Sequence, residues 1–98
     1  MAEVRISEEA AAEYTQALAW YHSRSLRAAE RFETVFAEAL ERVRQSPEQF
    51  PACEEEGYRF AILDRYPYSL IYRMTGAFVD VVAVAHARRK PGYWSSRT

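Results

Sequence analysis

The stretch from Ala83 to Trp94, AVAHARRKPGYW, gathers residues equipped for chemistry at close spacing. His86 carries an imidazole that could serve as a general base. Arg88, Arg89 and Lys90 are cations able to hold a phosphate or a carboxylate. Tyr93 and Trp94 add ring faces, and Tyr93 a hydroxyl. Upstream, Arg73 follows Tyr72 in an alternating apolar run. Each has a plainer role as well. A histidine at a strand end is commonly a hydrogen-bonded structural residue. Arg73 can pair with an acid of a neighbouring helix. A basic terminus can simply be solvated, although aromatic and arginine residues together are the types that carry binding energy at interfaces.

No other cluster offers comparable chemistry. Cys53 has no histidine near it in sequence and does not read as a nucleophile. His22 falls near a helix end, where a cation suits the helix dipole. Glu54, Glu55 and Glu56 read as a solvated loop. No spacing matches a zinc or calcium site, so no metal and no small-molecule cofactor is expected.

The chain that must position these residues has 98 amino acids, enough for one domain over residues 1–98 with its own core. Its net charge of −1 conceals a division. Residues 1–57 hold twelve acids and six bases, whereas residues 58–98 hold two acids and seven bases. The second half therefore suits an anionic or acidic partner. One cysteine excludes an internal disulfide and fits a reducing compartment. The start of the sequence lacks the apolar stretch of a secretion signal, and no apolar run approaches the ~20 residues that span a bilayer. A cytoplasmic protein with no membrane role is expected.

The patterning then supplies the elements. Glu3 to Ser7 alternates as a short strand. Ser7 caps a helix over residues 8–22, with Ala11, Tyr14, Ala17, Leu18 and Tyr21 on its apolar side and His22-Ser23-Arg24-Ser25 breaking it. Ser25 caps a second helix, striped by Leu26, Ala29, Phe32, Val35 or Phe36, Ala39, Leu40 and Val43. That helix ends near Ser46-Pro47, since the residue before proline leaves the α region. Trp20 and the helix aromatics read as core. A loop rich in proline and acid follows. The period then changes to two for strands over residues 58–63, 68–74 and 78–85, with a tight turn at Thr75-Gly76-Ala77. The last strand is the most apolar and hence central. The order β-α-α-β-β-β predicts an α+β fold: a helical hairpin packed on a small, mostly antiparallel sheet.

In order and spacing, the chain resembles the RelE/ParE superfamily of bacterial type II toxins. The resemblance rests on RAAERFETVFAEALERVRQSPEQFP, on Tyr66-Pro67-Tyr68 with Tyr72-Arg73, and on Ala85-His86-Ala87-Arg88-Arg89 with Pro91-Gly92-Tyr93-Trp94. It implies a growth-inhibiting toxin, held in a hetero-oligomer by a cognate antitoxin. The RelE branch implies a ribosome-dependent messenger-RNA endonuclease. Its sheet lysines fall at Arg59 and Ala61, its strand arginine at Ser69, its late arginine at Arg88 or Arg89, and its tyrosine at Tyr93. Ala61 and Ser69 cannot do that work, and arginine is a poor base. A nuclease would have to be rebuilt from Arg73, His86, Arg88, Arg89 and Tyr93. The ParE branch implies an inhibitor that binds DNA gyrase, for which Arg88, Arg89, Lys90, Tyr93 and Trp94 would form the target surface. A third reading is an inactive toxin fold kept as an antitoxin-binding module. The resemblance is nearer to the ParE branch.

Overall fold

The computed structural model describes residues 2–97. Met1 and Thr98, the ends of the expected 1–98 domain, lie outside the described residues. The chain forms β1 (Glu3–Ile6), α1 (Glu8–Arg24), α2 (Leu26–Gln45), a 3₁₀ turn (Pro47–Gln49), β2 (Tyr58–Ile62), β3 (Tyr68–Thr75) and β4 (Phe78–His86). The sheet order is β1-β4-β3-β2. β1 runs parallel to β4, while the β4–β3 and β3–β2 pairs are antiparallel. This is the expected α+β architecture, with the most apolar strand inside the sheet.

The hairpin turns on one residue. Ser7 starts α1 by accepting from the Ala10 N–H, 3.1 Å away. Ser25 then closes α1 through its own N–H to the Tyr21 carbonyl and opens α2 by accepting from the Ala28 N–H. α1 therefore continues through His22 and Ser23 to Arg24, two residues beyond the expected end, because the first residue able to cap both helices is Ser25.

Between hairpin and sheet lies an aromatic core. Phe32 is fully buried and stacks on Tyr21 at 4.8 Å, with Tyr66 and Tyr68 edge-on at 5.3 and 5.7 Å. Tyr72 is also fully buried; burial pushes its phenol up to about 12, and its hydroxyl donates to the Pro47 carbonyl. Three helix positions depart from expectation. Ala10, not Ala11, is the buried alanine of the first turn. Leu26 is 63% exposed, because it sits on the corner of the hairpin before α2 meets the sheet. Trp20 is 52% exposed and stacks under the Arg24 guanidinium rather than joining the core.

The opposite face of the sheet has a smaller core of Tyr58, Ile71, Val82, Ala83 and Trp94. No helix covers it. The C-terminal tail does, and the tail carries the residues singled out by their chemistry.

Candidate functional site

The tail is aimed by a bulge in β4. Before the bulge, the carbonyls of Ala77 and Val81 face β1 and accept from Glu3 and Ser7. Tyr72 pairs with Val81 and Ile71 with Ala83, so Val82 is an extra residue. A bulge of this kind reverses which main-chain groups face each side. Beyond it, the Val82 carbonyl and the Val84 N–H face the side where β1 has already ended.

Side chains complete that side. Glu13, from α1, accepts the Val84 N–H at 2.9 Å. The Arg97 guanidinium donates to the Val82 carbonyl at 3.1 Å and grips both Glu13 oxygens at 3.0 Å. The Tyr93 hydroxyl donates to Glu13 at 2.6 Å. Arg89 lies 3.9 Å from the same carboxylate and stacks on the Tyr93 ring, with Arg97 5.0 Å from the ring centroid. One carboxylate thus ties the first helix, the central strand and the tail. Burial pushes Glu13 up, but the bonds from Arg97, Tyr93 and Val84 outweigh it and hold the group below the ordinary range. Tyr93 moves the other way: burial and the Glu13 contact keep its proton on.

The rest of the tail is shaped around this latch. Trp94 is 4% exposed and packs on Tyr58 at 4.8 Å. It plugs the outer core instead of offering a face to a target. Gly92 has φ +76, a left-handed backbone that favours glycine, and it lies against the movable end of the Glu55 side chain. The acidic loop and the basic tail flank an open concavity of about 440 Å³ whose apolar lining includes Phe60, Ile71 and Trp94.

The rebuilt nuclease set is not brought together. Arg73 pairs in register with Asp80 and Tyr58, whereas His86 pairs with Tyr68. Six residues of strand separate those β4 positions, roughly 20 Å at strand rise. Arg73 faces no acid of the hairpin in that register, and its Nε has no hydrogen-bond partner among the described residues. His86 lies edge-on to Tyr68, and its Nδ1 accepts from the Arg88 N–H at 3.0 Å. Arg59 donates to the Phe50 carbonyl. Burial pushes the Cys53 thiol up, with Glu55 acting the same way, so it stays protonated. Among the described residues no three histidine, cysteine or acidic side chains are grouped to hold a metal ion, and no helix is long and apolar enough to cross a membrane.

The structure does bring Arg88, Arg89 and Lys90 together on one exposed turn. Two partners went unseen in the sequence. Arg97 registered only as a charge. Glu13 was the available signal: a lone acid between Ala10, Tyr14 and Ala17 on the buried side of α1.

Comparison with known proteins agrees with this architecture. Residues 4–91 match the family model described as the ParE toxin of the type II toxin–antitoxin system parDE. The chain belongs to the ParE toxin family. A solved structure titled "Chromosomal ParDE TA system from P. aeruginosa" superimposes with a TM-score of 0.64 at 21% identity, covering 88% of this chain and 96% of that one. At that identity the likeness speaks for the fold. No curated protein sequence matches. The match to a ParE family agrees with the branch favoured by Ala61 and Ser69, which stand where the RelE branch has a lysine and an arginine.

Proposed function

We propose that this ParE-family chain is a cytoplasmic toxin that inhibits growth by binding DNA gyrase through its cationic tail, and that a cognate antitoxin neutralises it in a hetero-oligomeric complex. One observation carries the reading of the tail. Arg88, Arg89 and Lys90 stand in solvent, yet the chain on either side is fixed by His86 and by the Tyr93–Glu13 latch. Cations held on a rigid turn lose little freedom on binding, which favours affinity for an acidic surface. Tyr93 belongs to the target surface by its stacked ring under Arg89, and Trp94 supports it from beneath.

The endonuclease reading has less support. Arg73, on β3 opposite Asp80, lies six strand residues from His86 at the end of β4, and the Tyr93 proton is committed to Glu13. A nuclease needs its base, cations and acid around one phosphate.

The test is brief, controlled expression in bacteria, following plasmid supercoiling and the integrity of translated messages together. Altered supercoiling or broken chromosomes with intact messages is expected. Cut messages with normal supercoiling would refute the binding account. Normal growth with retained antitoxin binding would mark an inactive toxin fold.

A further inference from the structure

A groove of about 280 Å³ runs between α1 and the end of β4. Ala17 and Trp20 form its helical wall, Tyr68, Val84 and His86 its strand wall, and Arg89 stands at its rim. We propose that an extended, acidic segment of the antitoxin docks here and pairs with the free edge of β4, in line with β1. The choice of antitoxin as occupant rests on the functional reading above; the chemistry of the occupant rests on the groove.

Three observations specify that chemistry. First, the edge is open to a strand. β1 ends at Ile6, opposite Val81, so among the described residues β4 has no strand neighbour on that side from Val82 onward. Glu13 and Arg97 occupy Val82 and Val84 only in part, taking one carbonyl and one N–H. The Ala87 N–H bonds to Pro67 on the β3 side, so the His86 N–H, one residue earlier, faces the groove along with the Val84 carbonyl. One acceptor and one donor at that spacing match the main chain of an extended segment. Second, the wall presents Trp20, a large ring half in water on a helix whose other aromatics are packed. Half-exposed tryptophan is the residue type that anchors interfaces. Third, the charge is net positive. Arg24 lies over Trp20 at 4.6 Å, Arg89 stands at the rim, and the only carboxylate, Glu13, is already bound by Arg97 and Tyr93. An apolar floor flanked by Arg24 and by Arg89, which shares the Glu13 carboxylate with Arg97, carries a surplus of positive charge and fits a segment that alternates apolar and acidic side chains.

The experiment uses the full chain and the antitoxin encoded beside it. The two tryptophans differ in burial, so a blue shift of emission on complex formation reports Trp20, and Trp20→Phe should abolish it. Amide exchange at His86 should slow at least ~10-fold in the complex. Trp20→Ala should weaken antitoxin binding ~10-fold or more, and Arg24→Glu by a smaller factor. The exposed position of Trp20 makes a folding failure avoidable, and an unchanged circular dichroism spectrum verifies this. A complex that forms with unchanged emission and unchanged His86 exchange would overturn the groove and leave the toxin–antitoxin reading standing. Failure to form any complex would overturn both.

Discussion

The two faces of the sheet are held by different physics. On the inner face, two helices lay an aromatic stripe on Leu70, Tyr72, Val79 and Val81, and stability comes from area removed from water. On the outer face, eleven residues of tail after β4 reach Arg97 with little regular structure, and one carboxylate fixes them. The inner face can lose a hydrogen bond and persist. The outer face depends on a few polar contacts whose removal frees the whole segment. The inner face is the scaffold, and the outer face is where a controlled arrangement of charge is displayed.

Substitutions can separate the two. Phe32→Ala removes the ring at the centre of the inner core and should cost roughly 3–5 kcal/mol, seen as a large fall in the urea midpoint. Trp94→Ala should cost somewhat less, since only the tail packs above it, and should open residues 88–97 to limited trypsin cleavage before the domain unfolds. Equal loss of stability with no early cleavage would mean the two faces are one cooperative unit.

Glu13→Gln keeps the side-chain size and removes the charge. It should cost about 1–3 kcal/mol and leave inner-face amides protected while tail amides exchange faster. Acid should do the same reversibly. Glu13 is held below its ordinary range in the folded chain, so its contribution is present above its unfolded value of 4.5 and fades as pH falls below that. Trypsin-independent probes such as Trp94 emission, followed from pH 6 to pH 3, should show the tail loosening before the inner core. Simultaneous loss of both faces in Glu13→Gln would remove the latch from the account.

How much of this was legible follows from the same contrast. Helical and strand periods report burial on a continuous surface, so Phe32, Phe36, Leu70 and Tyr72 could be placed from spacing alone. Ser7 and Ser25 could be placed as caps because capping is local. Trp20 and Leu26 were misassigned because hydrophobicity does not say where a hairpin corner lifts off the sheet. The latch joins Glu13 to Tyr93 and Arg97 across 80 and 84 residues, and no local rule links them. The Val82 bulge, which aims those groups, has no glycine to mark it. The cations Arg88, Arg89 and Lys90 were legible as types, whereas the rigidity that gives them value was not.

The smallest expected effect on stability belongs to the residues given the largest role. Replacing Arg88, Arg89 and Lys90 with glutamine should lower the melting temperature only slightly, since all three are exposed and Arg89 alone touches the latch, through one 3.9 Å ion pair to Glu13. Supercoiling by purified DNA gyrase, measured with the wild-type chain and with this triple variant, is the most direct measurement. The account predicts inhibition by the wild type and at least a ~10-fold weaker effect from the folded variant. Equal inhibition by both, or none by the wild type, would contradict it.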